Sequence, residues 1–387
     1  MINVVDLFSG AGGLTFGFQK RIVDNSFVRR DDFKINFANE FDKNAAEAFR
    51  QNYPDIPMIE GDIADLNIDY LTNIGVNIKD VDLVIGGPPC QSFSTVGKRQ
   101  FDNRAKMYKE YRRLLSFLQP KMFVFENVLG LLTMKNDDKK PVLEDVKESF
   151  QDFSDFNDAN GYNLHMQVLN AKDFGVPQNR ERVFIIGVRN DLQLNVEWRF
   201  PNGIANEHPI TLRDAISDLP LLGNNETINI YQGEPLTVYQ RLMRGGTIEL
   251  KNHSSRRHGD RMIKIMEALK EGQGKDDINS MVEEGKLPKE LFLTSGYSNT
   301  YGRLWWDRPS TTITNNLSTP SSLRCIHPSQ NRALTAREGA RIQSFPDDYV
   351  FIGGFEAVNT QIGNAVPPIL SISLANRIAD FFRENNL

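Results

Sequence analysis

Five times in the first 190 residues a short apolar run, rich in Val, Ile and Phe, breaks off at a turn of Gly, Pro, Asp, Glu or Asn. These are "NVVDLFSG" (3–10), "FKINFANEFD" (33–42), "VDLVIGGPPC" (81–90), "MFVFENV" (122–128) and "RVFIIGV" (182–188). Short runs that are apolar on both faces are what buried parallel strands require, because helices cover the sheet on each side. Helical spacing fills the gaps. An amphipathic stretch begins at Leu14, Asp42 stands where it can cap a helix over 43–52 that Pro54 ends, and a helical pattern over 104–118 stops before Pro120. Strand alternating with helix predicts an α/β fold built on a doubly wound, mostly parallel sheet.

The alternation fails near residue 200. From there to about 326 the chain is rich in Gly, Asn, Ser, Thr and Pro, yet Leu, Ile, Tyr and Trp recur ("YGRLWWDRPSTTIT", 301–314), so a second, smaller, irregular or β-rich domain is expected rather than disorder. A chain of 387 residues also exceeds what one core usually serves. Helical periodicity returns over 335–343, where Thr335 and Glu338 are spaced as a capping box, and over 367–382, where Pro367 and Pro368 suit a first turn. Two cysteines make no disulfide framework and fit a reducing compartment. The first residues lack the pattern of a signal peptide, and no apolar run nears the ~20 residues that span a bilayer. A soluble, intracellular protein is the expectation. The net charge of −5 argues against nucleic acid coating the whole surface but leaves room for a local basic face. Basic residues gather at 239–246 and 251–264, although most charge runs are simply solvated.

Each strand end delivers functional groups to the carboxyl edge, where open α/β sheets bind ligands. Gly10, Gly12 and Gly13 let the chain turn sharply ahead of the first helix, without a full dinucleotide spacing or a phosphate-loop lysine. Glu40 ends the second run and Asp62, in "EGDI", ends a third short strand. Either acid alone reads equally as a cap or a solvated turn. The three strand ends together favour a cofactor containing a nucleoside. Cys90 follows two prolines at the tip of the fourth strand, a poor place to bury an inert thiol and a good one to aim a nucleophile. A thiol with an ordinary pKa near ~8.5 needs its thiolate stabilised for that work, and Lys98, Arg99 and Arg104 make the next loop basic. Cys325 has no such setting and reads as a buried small residue. Glu126 closes the fifth strand, which can lie beside the fourth. Three apolar neighbours before it predict desolvation, a raised pKa and an ability to donate a proton. Arg180 and Arg182 alternate ahead of the last strand and are expected to face one side, or else to form surface ion pairs.

The ordered set "DLFSGAGGL", "NEFDKNA", "GDI", "GGPPCQSFS", "FENV", "QNRERVFIIG", "ALTAREGARIQSFPDDY" and "QIGNAVPP" resembles the DNA (cytosine-5) methyltransferases over residues 1–190 and 300–387. That resemblance implies a class I, Rossmann-like methyltransferase domain over 1–192, completed by 350–387, with a target-recognition domain over 193–349. It implies S-adenosylmethionine as methyl donor and no metal. The cofactor would be held by Phe8, Ser9, Gly10, Ala11, Gly12, Gly13, Leu14, Glu40 (on the ribose), Phe41, Asp62 and Ile63 (on the adenine), Pro89, Asn364 and Ala365. Cys90 would be the nucleophile, Glu126 would engage N3 and the amino group of the cytosine, Arg182 its O2, and Arg180 the thiol loop or a phosphate. Duplex DNA would be the substrate, its target base flipped out. Ser92, Lys98, Arg99 and Arg104 would lie on a loop closing over that base, and Arg256 and Arg257 would meet DNA in the recognition domain. A cognate restriction endonuclease acting without a stable complex, a monomeric state and a cytoplasmic location are implied by the same analogy. An RNA-methylating relative uses the same chemistry, and the long stretch 195–330 favours DNA only weakly. An amino-methylating enzyme would carry Asn/Asp-Pro-Pro-aromatic where this chain has Pro88-Pro89-Cys90. A catalytically silent regulator would be expected to lose Cys90 or Glu126.

Overall fold

In a computed structural model, residues 1–89, 107–136, 139–156, 159–203 and 209–387 are described. The apolar runs become β1 (Ile2–Leu7), β4 (Phe33–Glu40), β6 (Leu83–Gly86), β7 (Met122–Asn127) and β9 (Glu181–Arg189). Two further strands, β5 (Met58–Glu60) and β8 (Tyr162–Asn170), complete a seven-stranded sheet in the order β5-β4-β1-β6-β7-β9-β8. Pairings from β5 to β7 are parallel, while β9 runs antiparallel to both β7 and β8. The expected mostly parallel, doubly wound sheet is present. A short, mostly exposed hairpin, β2 (Lys20–Val23) and β3 (Ser26–Arg29), precedes β4 and was not foreseen from the sequence.

Alternation along each strand divides the core between two faces. Val4, Ile35, Ile85, Val124 and Ile186 point to one side, under α1 (Gly13–Gln19), α2 (Lys43–Asn52) and α12 (Pro368–Glu384). Val5, Phe37, Val84, Phe123 and Ile185 point to the other. There they meet α3 (Ile68–Asn73), α4 (Met107–Leu118) and α5 (Val142–Gln151). The capping signals hold: the Asp42 carboxylate accepts from Ala45 N at 2.9 Å, and Thr335 and Glu338 form a reciprocal box on α10 (Ala336–Ile342). Helix α12 starts at Pro368 and lies along α1, with Ser371 Oγ accepting from Gly17 N and donating to Leu14 O.

The stretch 193–349 is irregular, as expected, but helical where β structure was the other possibility. Among its described residues there are isolated bridges and no strand. Its helices are α6 (Leu212–Ile216), α7 (Val238–Arg244), α8 (Asp260–Ala268), α9 (Lys275–Glu283) and α10. Ile265, Met266, Leu269, Ile278, Val282, Leu291, Leu293, Tyr301 and Ile326 form a small core of their own. Leu212, Tyr239, Met243, Ala340 and Ile342 instead join the core on the α12 side of the sheet. Helix α11 (Phe355–Asn364) then returns the chain to the sheet's carboxyl edge. Among the described residues no helix is long and apolar enough to cross a membrane.

Candidate active site

The carboxyl ends of β1, β4, β5, β6 and β7 and the face of α11 enclose a cleft of about 740 Å³. Its floor is the loop between β1 and α1. Three of five consecutive residues there are left-handed, Phe8 at φ 57°, Gly10 at 56° and Gly12 at 94°. Phe8 accepts that conformation despite its side chain, a strain that sites of function commonly hold. The loop is tied to β4, since Gly10 N donates to Glu40 Oε2 at 2.8 Å and Ser9 N to Asn39 O at 3.0 Å. Glu40 Oε1 accepts from Asp42 N at 2.8 Å, so the carboxylate is held at the cleft wall. Burial raises its pKa, against the pull of those two backbone N–H groups.

Of the expected cofactor residues, Phe8, Ser9, Gly10, Ala11, Gly13, Leu14, Glu40, Phe41, Asp62, Ile63, Pro89, Asn364 and Ala365 all line this cleft. Gly12 does not. It caps α1 one layer below, where a Cβ would lie 2.4 Å from the Tyr53 ring. Asp62 caps the following turn through Ala64 N (2.9 Å) and also lines the cleft. That turn is pinned by Arg113 of α4, which donates to Ile63 O and Leu66 O at 2.8 and 2.7 Å.

Asp6 was missed. The sequence shows it only as one polar residue inside an apolar run. In the fold it is fully buried, reaches the cleft floor, and takes a short hydrogen bond from Thr15 on one oxygen, while its other oxygen has no partner. Burial pushes its pKa up to about 8. From α11, Glu356, Thr360 and Gln361 also line the cleft and carried no readable signal, because only the folded helix brings them there.

At the carboxyl ends of β6 and β7 the expected pairing of the fourth and fifth strands, "VDLVIGGPPC" beside "MFVFENV", holds. Glu126 Oε1 lies 3.0 Å from Arg182 Nε, both side chains nearly buried. Burial raises the Glu126 pKa as expected, opposed by the guanidinium charges of Arg182 and Arg180. Gly87 explains the glycine pair of "GGPPC": a Cβ there would sit 2.7 Å from Glu126 Oε2. Asn127 Nδ2 reaches Pro88 O at 3.4 Å, so the Asn of "FENV" steadies the proline turn. Cys90 follows Pro89 directly, and with Ser92, Lys98, Arg99 and Arg104 it lies outside the described residues.

Arg180 and Arg182 do not share a direction, contrary to the alternation argument. Arg180 precedes β9, so the pleat does not govern it. Its guanidinium runs inward to Ile313 O (2.8 Å), Gly363 O (2.9 Å) and Ala365 O (2.9 Å). Arg244 of the basic stretch is likewise held internally, by Asp218 at 3.0 Å and over the Tyr231 ring. Arg257 is exposed and Arg256 half-buried. Cys325 is fully buried with its thiol pKa pushed up, which is the inert setting expected.

A profile of the C-5 cytosine-specific DNA methylase family matches residues 2–380. The chain belongs to that family. It is 36% identical to the Type II methyltransferase M.DdeI of Desulfomicrobium norvegicum, over 100% of this chain and 90% of that one. It is 34% identical to the Type II methyltransferase M1.HphI of Haemophilus parahaemolyticus, over 97% and 86%. A crystal structure described as a DNA modification methyltransferase encoded within an E. coli prophage superposes with a TM-score of 0.74 at 25% identity, over 99% and 100% of the two chains. This DNA cytosine methyltransferase has relatives in restriction–modification systems, and the family reading prevails over both the RNA-directed and the silent alternatives. S-adenosylmethionine is the methyl donor of its family.

Proposed function

We propose that this methyltransferase modifies carbon 5 of one cytosine flipped out of duplex DNA, with Cys90 as nucleophile. The observation that carries this reading is the Glu126–Arg182 pair, held against the Gly87–Pro89 turn that leads into Cys90. The cleft fits the cofactor. Its walls carry Glu40, Asp62 and Asp6, and the unpartnered Asp6 oxygen suits a ligand with cationic groups. Glu40 would take the ribose hydroxyls and Asp62 with Ile63 the adenine. When bound, the cofactor supplies an electrophilic methyl on a sulfonium.

Carbon 5 of cytosine is too weak a nucleophile to accept that methyl unaided. The Cys90 thiolate adds to carbon 6, the electron pair of the 5,6 double bond passes into the ring, and carbon 5 becomes enamine-like. Glu126, whose pKa burial raises, donates to N3 and stabilises that charge, while Arg182 binds O2. As carbon 5 takes the methyl, N3 returns its proton to Glu126; a solvent base then takes the carbon 5 proton, whose bonding pair restores the 5,6 double bond as the Cys90 thiolate leaves carbon 6. A base inside the stack is out of reach, so flipping precedes chemistry at a cost of a few kcal/mol. Arg180 serves this reading from beneath, by bracing Gly363 and Ala365 at the cofactor wall.

Residues 1–192 with 350–387 would form the catalytic part and 193–349 the part that reads DNA, Arg256 and Arg257 included. The loop that carries Ser92, Lys98, Arg99 and Arg104 would close on the phosphates. Kinship with Type II methyltransferases supports a cytoplasmic, monomeric modification enzyme paired with a separate endonuclease.

Bisulfite sequencing of DNA treated with the pure protein should show one methylated cytosine in a fixed short sequence, with no transfer to RNA. Cys90→Ser should abolish transfer while duplex and cofactor still bind. Duplex carrying 5-fluorocytosine should trap an adduct that peptide mapping places at Cys90. An adduct at Cys325, or turnover by the Ser variant, refutes the assignment.

A further inference from the structure

Two buried tyrosines grip the cofactor loop from below, and no step of the chemistry above uses them. Tyr53, at the end of α2, donates its hydroxyl to Gly12 O at 2.9 Å. Tyr349, which follows α10 by seven residues, donates its own to Ala11 O. The two phenol oxygens lie 3.2 Å apart, within hydrogen-bond reach of each other as well as of the loop carbonyls. Burial drives both phenols far above their ordinary pKa, so they remain donors at every working pH.

The fit is close. The absent Cβ of Gly12 would lie 2.4 Å from the Tyr53 ring and 3.0 Å from the Tyr349 hydroxyl. Both rings are fixed by neighbours, Tyr53 by Phe49 (centroids 4.8 Å apart) and Tyr349 by Phe345 (4.6 Å). The N–H groups of this loop are held from the β4 side by Asn39 and Glu40. Its carbonyls are held from the opposite side by the phenols. Ala11 lines the cleft, so the backbone that Tyr349 holds is backbone the ligand meets.

Tyr349 also arrives from a distant part of the chain. Two residues before it, Asp347 is held by Arg341 at 2.8 and 2.6 Å, and its N–H donates to Met243 O on α7. A strained loop that alternates left-handed residues has several nearby conformations, and two hydrogen bonds from fixed rings select among them.

We propose that Tyr53 and Tyr349 are positioning residues for the cofactor. Through the Ala11 and Gly12 carbonyls they hold the loop in its binding conformation and so set cofactor affinity without touching the ligand. This rests on the reading of the cleft as the S-adenosylmethionine site.

The test replaces each hydroxyl and keeps each ring, as Tyr349→Phe, Tyr53→Phe and the double variant. Binding of S-adenosylhomocysteine is measured by calorimetry, KM and kcat for S-adenosylmethionine by tritium transfer to DNA, and the thermal midpoint without ligand. Each hydroxyl removed should weaken product binding and raise the cofactor KM about five- to tenfold, the equivalent of one net hydrogen bond, with kcat within about twofold. The double variant should lose less than the product of the single losses, because the hydroxyls share one loop. A lower thermal midpoint with cofactor affinity unchanged within about twofold would make the tyrosines merely structural and overturn the proposal. If a Phe variant does not fold, amide exchange of residues 10–14 in the native protein decides instead. Protection there at the level of β1 supports the clamp, and rapid exchange without ligand overturns it. Failure of the native protein to bind S-adenosylhomocysteine would defeat the cleft reading itself, a different result from native binding that the variants leave intact.

Discussion

The sheet and the stretch 193–349 are held together by different means. The sheet is apolar on both faces, and one of them carries a nest of edge-to-face rings from Tyr111, Phe123, Phe125, Phe150 and Tyr162. The stretch 193–349 has only a small core of its own, and buried arginines do much of the joining. Arg341 pairs with Asp218 and Asp347, Arg332 pairs two-pronged with Glu338, and Arg337 reaches Lys251 O, Pro346 O and Tyr349 O. Arg303 collects Leu269 O, Met266 O, His327 O and Gln330 O. Apolar burial tolerates sliding and small volume changes, whereas a buried guanidinium demands particular partners at particular places.

That contrast sets the order of the expected effects. Arg341→Ala removes the guanidinium shared by two buried carboxylates, Asp218 and Asp347, and should cost about 3–5 kcal/mol in urea unfolding. A loss below about 1 kcal/mol would show that the charges relax to water and that the two regions do not differ. Asp6→Asn tests a fully buried carboxyl at the sheet's carboxyl edge. With its pKa raised from 3.8 to about 8, native Asp6 binds a proton that the unfolded chain releases, so stability from this group falls as pH rises between about 4 and 8. The Asn variant should lose that slope and gain stability at pH 8, read from thermal midpoints across the range. An unchanged slope would mean that Asp6 is ionised when folded. The smallest effect belongs to the apolar layers. Ile185→Val, on the ring-bearing face, should cost about 1 kcal/mol and leave kcat unchanged.

The same division explains what the sequence could disclose. Strands, their order of use and the caps at Asp42 and Thr335 rest on neighbours within a few residues, and they were legible. So were the strand-end groups Glu40, Asp62 and Glu126, because strand ends converge on one edge. The antiparallel course of β9 was not legible, since an apolar run has no direction, and neither was the exposed hairpin β2–β3, whose strands are only four residues long. Asp6 passed as an interruption of a strand. The interior partners of Arg180 and Arg244 were not legible, since Ile313 O lies 133 residues from Arg180 and the Asp218 carboxylate 26 from Arg244. Tyr53 and Tyr349, 296 residues apart, meet only in the finished fold.

Arginine fastening has a further consequence for lineages of such enzymes. Arg180, Arg303 and Arg337 each direct Nη1 and at least one other guanidinium nitrogen at main-chain oxygens. Every residue type carries that oxygen. Side chains on the outer face of 260–303 can therefore be exchanged by mutation without loosening the joints beneath. A fastening that ignores residue identity leaves the surface above it open to diverge while the joints below it stay the same.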